Sequence, residues 1–367
     1  MRRSMTRLAV LLVTLVLGTV GGCSRAPVRP AVSTSSPATA ASRPADAAAM
    51  GSAIDAAVAE PSFKLENLRA LLVSIDGSVV VQRYYRSDAA EYADLQSVTK
   101  SVVSTLIGIA IGEGKISGVD ATLAELLPQY RSMDPRAART TIRQLLTMTA
   151  GWGVSAVKLD RDLVKRWLQE GPQHDPGVQF EYTNVGPHIL AEVLARATGM
   201  SPLDYARKVL FDPLQIDTRP AYQGHVEGKG EYWTVPAFQQ AGFAWATAPN
   251  GVNTGPFGMK LRATDLLKIG QLYLDNGQWH GRQVVPAEWV RAATAQDSAN
   301  GYGFLWWIHP VDGHPGYAAQ GSFGQVLLVV PDRRLVVVGS SRPTTDDQAG
   351  AQIFALVDAA IAPNLGE

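Results

Sequence analysis

The 367-residue chain has one cysteine, Cys23. It can therefore close no internal disulfide, and a cysteine-ligated zinc site in the body of the fold is excluded. No charge sign dominates: 33 Lys+Arg stand against 33 Asp+Glu, without a basic stripe or arginine-rich arm. Nucleic acid is thus not an expected partner. No apolar run reaches the ~20 residues that a membrane-spanning helix needs. There is no G-x-S-x-G elbow for an α/β-hydrolase, no H-E-x-x-H for a zinc peptidase and no internal repeat. The six histidines permit a Ser-His-Asp triad by arithmetic only. His188 falls on an expected helix, and His309 and His314 flank a Pro/Asp/Gly loop, where surface or capping roles suffice. No cofactor or metal is expected.

The N-terminus reads as an address. Arg2, Arg3 and Arg7 form a basic start, Leu8 to Leu17 is almost wholly apolar, and Val20-Gly21-Gly22-Cys23 supplies small residues at a cleavage point. That ending resembles the lipobox of bacterial lipoproteins, which implies that Cys23 is lipid-modified and becomes the mature N-terminus. Residues 1–23 are then a signal peptide and the protein an exported, membrane-anchored lipoprotein of the cell envelope. Residues 24–50, rich in Ala, Pro, Ser and Thr, bury too little apolar surface to fold and read as a flexible tether. Residues 51–367 form the expected folded domain. With 46% hydrophobic and 18% charged residues overall, the chain can build a substantial core.

Ser97-Val98-Thr99-Lys100 stands between two β-like runs and a long apolar helix, Val102 to Ile111. Serine and lysine three apart share a helix face, their Cβ atoms roughly 5–6 Å apart. A hydroxyl becomes a nucleophile when a base lies within hydrogen-bond reach, and the start of a helix favours developing negative charge. S-x-x-K recurs at Ser155-Ala156-Val157-Lys158, but that copy follows the loop-like Gly151-Trp152-Gly153 and opens no comparable helix. Ser97 is the candidate nucleophile and Lys100 its base.

Asp46 to Glu60 has helical spacing, while Leu71 to Ile75 and Ser78 to Tyr84 flank Asp76-Gly77, a two-residue hairpin signal. Helices are predicted over Ile142 to Met148, Asp160 to Glu170, His188 to Thr198, Pro202 to Leu210 and Ala263 to Asn276. Strands return at Tyr302 to Ile308, Gln325 to Val330 and Leu335 to Gly339. A last helix, about Thr345 to Ala362, puts Ile353, Phe354, Val357 and Ile361 on one face. Strands at both ends with helices between predict an antiparallel sheet built from both chain ends, with terminal helices on one face and the helical middle, about 112–295, on the other.

Two further clusters carry chemistry. Tyr182-Thr183-Asn184 lies on a loop, where alternate residues face one cleft. A neighbouring ammonium lowers a phenol's pKa, so Tyr182 beside Lys100 is expected to relay the serine proton. Ala319-Gln320-Gly321-Ser322-Phe323-Gly324-Gln325 leads into the apolar Val326 to Val330; its glycines mark a close approach. Acyl transfer needs two backbone donors for the oxyanion, and the Ser97 and Ser322 N–H groups are the candidates. Trp152, Trp245, Trp306 and Trp307 are candidates for an apolar pocket wall.

S-x-x-K, then L-L-T-M-T-A-G-W (Leu145 to Trp152), then Y-T-N within P-G-x-x-F-x-Y-x-N (Pro176 to Asn184), then a Gly-rich strand entry resembles the serine β-lactamase-like superfamily. That superfamily includes class C β-lactamases, DD-peptidases, carboxylesterases and 6-aminohexanoate-dimer hydrolases. The resemblance spans about Leu71 to Gly339, with Met259 to Asn276 and Tyr302 to Trp307 also similar. It implies an α/β fold of the α+β type, β-lactamase/DD-peptidase-like. It implies Ser97 as nucleophile, Lys100 as general-base partner, Tyr182 as second proton relay, and Asn184 orienting substrate or lysine. Penicillin-recognising members carry K-T-G at the third motif, where this chain aligns Ala319 and Gln320 before Gly321, and it has no K-T-G or K-S-G anywhere. The expectation is a serine hydrolase for small ester or linear-amide substrates rather than β-lactams. The competing reading is a lipid-tethered binding or sensor domain without turnover.

Overall fold

The structure, a computed structural model, describes residues 45–153, 161, 163–226, 232–297, 300–343 and 349–366. Cys23, most of the tether and Ser155 to Lys158 lie outside the described residues.

The hairpin predicted around Asp76-Gly77 joins β1 (Leu68–Ile75) to β2 (Ser78–Tyr84). Asp76 and Gly77 take φ of 51° and 77°, the two left-handed residues of the tight turn that matches strand twist. At the other end of the chain, β9 (Tyr317–Gly321), β10 (Gln325–Val330) and β11 (Leu335–Ser341) follow β8 (Trp307–Ile308). β1 pairs antiparallel with β11 in the register Leu72↔Val338 and Val73↔Val337, closing a six-stranded sheet of order β2-β1-β11-β10-β9-β8. The sheet is thus built from both chain ends, as the strand pattern predicts.

Both faces of the sheet are covered, which is why its central strands read as unbroken apolar runs. Leu71, Val73, Val326, Leu328 and Val337 pack with Met50 and Ile54 of α1 (Ala47–Ala59) and Ile353 of α12 (Ala349–Leu356). The π-helical turn Val357–Ile361 continues this face with Val357 and Ile361. Their neighbours Ala70, Leu72, Leu327, Val329, Val336 and Val338 face the opposite way, toward the helical middle.

That middle begins with α2 (Val98–Gly112), buried on every side from Val98 to Ala110. A helix buried all round in this way belongs at the centre of a domain. The short α3 (Leu123–Leu126), α4 (Pro135–Arg139), α5 (Ile142–Leu146) and α6 (Leu163–Glu170) lead to α7 (Val185–Thr198), which packs on α2. α8 (Pro202–Ala206) runs into a π-helical turn, Arg207–Phe211, where the sequence predicts one helix to Leu210. Next come α9 (Pro236–Gln240), α10 (Ala263–Leu274), which lies on the sheet, and α11 (Ala287–Ala293). A second sheet, β3 (Tyr92–Asp94), β4 (Ala244–Trp245) and β5 (Met259–Arg262), has the order β3-β5-β4, and β6 (Gln278–Trp279) pairs with β7 (Arg282–Gln283).

Two local expectations change. Tyr302 to Ile308 is not one strand: Gly303 N–H donates to the Trp306 carbonyl at 2.9 Å and Leu305 takes φ of 62°, so the segment doubles back before β8. Ser101 on α2 pins that turn, its hydroxyl donating to the Leu305 carbonyl at 2.7 Å. The Gly-rich third cluster does lead into β10, but its first half is itself strand, the end of β9, joined to β10 by the turn Ser322–Gly324.

Candidate active site

Ser97 is the N-cap of α2, yet its side chain makes no capping bond. Serine usually caps by accepting from the helix's own N–H groups. Here its hydroxyl oxygen instead receives a hydrogen bond from Lys100 Nζ at 2.8 Å, the one-turn contact expected from the spacing. Lys100 is only 1% exposed, and its second contact is the Pro256 carbonyl at 3.1 Å. A neutral carbonyl compensates a buried ammonium poorly, so burial pulls the amine down to about 7. At neutral pH a large fraction of Lys100 is therefore a free base hydrogen-bonded to a hydroxyl.

Tyr182 completes the cluster. It shares a side-chain hydrogen bond with Ser97, and Lys100 Nζ lies 5.0 Å from the centre of its ring. Its phenol stacks on Trp307 at 5.5 Å and meets Tyr302 edge-on at 6.2 Å. The expected lowering of its pKa does not occur. Burial raises the phenol to about 12, and the bond with Ser97 offsets that only in part. The reason lies in Lys100, whose own burial leaves little permanent charge to stabilise a phenolate. Asn184 follows on the same loop as the N-cap of α7 and makes no side-chain capping bond. Thr183 fixes the loop by accepting from Val185 N–H at 3.2 Å.

The third cluster approaches from the sheet. Gly321 ends β9 so close to the segment entering α2 that a Cβ there would lie 2.4 Å from the Leu95 carbonyl oxygen and 3.1 Å from Ser97 N. Only glycine fits. This contact brings Ser322, the next residue, to the start of α2. Among the described residues neither Ser97 N–H nor Ser322 N–H has a backbone acceptor. The Ser322 side chain is exposed, Ala319 is buried, and Gln320 pairs with Val326. Tyr317-Ala318-Ala319-Gln320-Gly321 places no cationic side chain on β9. Gly324 is buried in the turn with φ of 89°, after Phe323 at 67°.

Other candidates separate from this cluster. Of the four tryptophans only Trp307 lines it, through Tyr182; Trp245 and Trp306 are fully buried core and Trp152 packs beside Trp167. His188 is neither surface nor cap: it is 1% exposed inside α7, edge-on to Trp167, and burial lowers it to about 4. His314 binds Asp332 at 2.8 Å and His309 stacks on Phe354, so neither joins Ser97. The sequence reading missed Pro256, which contributes a main-chain carbonyl that leaves no side-chain signature.

The Beta-lactamase family's sequence model matches residues 69–360. Penicillin-binding protein 4 of Amycolatopsis lactamdurans is 29% identical over 269 residues, 65% of this chain and 69% of the relative. The 6-aminohexanoate-dimer hydrolase of Paenarthrobacter ureafaciens is 26% identical over 245 residues, 60% of this chain and 56% of its own. A penicillin-binding protein homolog from Caulobacter crescentus has the same fold, with TM-score 0.66 at 17% identity over 86% of this chain and 97% of that one. With its six-stranded antiparallel sheet, flanking helices and a family match over most of its length, the chain belongs to the Beta-lactamase family, within the serine β-lactamase-like superfamily of hydrolases.

Proposed function

We propose that the protein is an envelope-anchored serine hydrolase that cleaves small esters or linear amides through an acyl-enzyme on Ser97. The observation that carries this reading is the 2.8 Å contact between Lys100 Nζ and Ser97 Oγ, with the amine held near 7. Lys100 takes the hydroxyl proton as Ser97 Oγ attacks the carbonyl carbon. The N–H groups of Ser97 and Ser322 receive the oxyanion. Tyr182, a neutral phenol, passes the proton to the leaving oxygen or nitrogen, and the acyl group stays on Ser97. Water then attacks the acyl ester, Lys100 takes its proton and returns it to Ser97 Oγ as the C–Oγ bond breaks, and the acid leaves. Asn184 orients the substrate or Lys100.

Preference for esters and linear amides over β-lactams is supported by β9. With Ala319 and Gln320 where penicillin-recognising relatives carry lysine and threonine, no cation on that strand meets a substrate carboxylate. The similarity to a 6-aminohexanoate-dimer hydrolase points the same way. Anchoring rests on the basic and apolar start and on Cys23. An intact Ser97, Lys100 and Tyr182 cluster favours turnover over a binding-only domain.

The test is hydrolysis of a short-chain p-nitrophenyl ester by the full chain beside Ser97→Ala. Steady turnover lost in the variant supports the proposal. A stoichiometric burst without turnover, or turnover that survives Ser97→Ala, overturns it.

A further inference from the structure

Asp94 ends β3, three residues before Ser97, and has no part in the chemistry above. Its carboxylate grips the residue that precedes the nucleophile at two points. Oδ1 accepts from the Gln96 N–H at 3.0 Å, and Oδ2 accepts from Gln96 Nε2 at 2.6 Å. Gln96 is a residue that needs holding. It takes φ of 49°, a left-handed conformation unfavourable for a residue with a Cβ. That single twist turns the extended chain of β3 into α2, and so sets where the Ser97 hydroxyl and N–H point.

The same carboxylate reaches the other side of the cluster. Tyr232 donates its hydroxyl to Asp94 Oδ1 at 3.2 Å, and its ring stacks on Phe257 at 5.0 Å with planes 10° apart. Phe257 follows Pro256, whose carbonyl is the second contact of Lys100. Among the described residues no ion pair within 4 Å accounts for Asp94, although the charge of Lys260 is felt there. Its cross-strand partner Lys260 donates to the carbonyls of Phe238, Gln239 and Ala241 at 3.2, 3.1 and 2.6 Å.

We propose that Asp94 is a positioning residue for acyl transfer: it locks Gln96 in the left-handed conformation that aims Ser97, and through Tyr232 and Phe257 it braces the turn bearing the Pro256 carbonyl. The proposal rests on Ser97 being the nucleophile.

The test follows the burst of p-nitrophenolate from p-nitrophenyl butyrate with the full chain, beside thermal unfolding. Asp94→Ala is expected to slow acylation by about 10²-fold, with apparent affinity for the ester within about threefold. The double variant Asp94→Ala/Gln96→Gly should recover about tenfold or more, because glycine adopts positive φ without being held. Loss of packing alone would give no such recovery. The proposal falls if Asp94→Ala acylates at the unaltered rate, or if the double variant is no faster than the single. Should Asp94→Ala not fold, Gln96→Gly and Gln96→Val decide the matter with Asp94 in place. Glycine near the unaltered rate and valine about 10²-fold slower support it, since a β-branched residue resists positive φ; equal rates overturn it. Failure of the Ser97 reading has a different signature: no burst, and no label on Ser97, from the unaltered chain. That result would remove both proposals together.

Discussion

At the scale of single residues, the proposed chemistry turns on a lysine of which a large fraction is uncharged at neutral pH. Because burial holds Lys100 to about 7, protonation below that value removes the base. The acylation rate should therefore rise about tenfold per pH unit up to 7 and level off above about 8. Tyr182, held near 12, remains a phenol across that plateau. A rate constant from pH 5 to 9, or one that falls through 7, contradicts this assignment. Lys100→Ala should lower turnover by about 10³-fold or more, whereas Ser322→Ala should change it by less than about threefold, since only its N–H is used. Ser97, Lys100 and Tyr182, which the fold brings together, were legible as motifs because side-chain chemistry leaves a sequence signature. The Pro256 carbonyl left none, and the direction of the Tyr182 shift was misread because spacing reports neighbours but not their burial.

At the scale of elements, two contacts hold the parts together. Gly321 lets β9 touch the segment entering α2, with backbone atoms on the far side that cannot move aside cheaply. Gly321→Ala should cost about 10²-fold in turnover along with a lower melting temperature, read by ester hydrolysis and thermal unfolding. His188 lies in α7 against the turn before Pro256, its Nδ1 facing the Gly255 N–H at 3.5 Å. An unfolded histidine takes up a proton near 6.5, which native His188 resists until about 4. Falling pH therefore favours the unfolded chain across that window, by on the order of 3 kcal/mol. Melting temperature should drop on acidification from 6.5 to 4, and His188→Gln should flatten that part of the curve. An unchanged curve in the variant would assign the acid sensitivity to carboxylates. Long apolar runs such as β10, β11 and α2 were legible because burial dictates their composition. The short β3, β4 and β5, and the tight turn at Leu305, were not; two to four residues carry too little periodicity, and tertiary contacts such as Ser101 with Leu305 decide their shape.

At the scale of the whole molecule, the sheet joins the first and last strands of the domain, so the site assembles only when the ends of the fold meet. Ser97 follows the N-terminal hairpin, Tyr182 sits in the helical middle, and Ser322 lies between the last strands. This architecture was legible because apolar strands at both ends leave few other pairings. The proposed substrate class rests on a smaller feature, the lack of any cation on β9. A chromogenic cephalosporin should accordingly be turned over about 10³-fold or more less efficiently than a short-chain ester, measured as kcat/KM side by side. Comparable values would return the protein to the penicillin-recognising branch.

The most direct measurement is mass spectrometry of the chain quenched in acid during turnover of p-nitrophenyl butyrate. The account predicts one butyryl group on the peptide containing Ser97, and none in Ser97→Ala. A butyryl group on Ser155, or turnover with no acylated peptide at all, would contradict it.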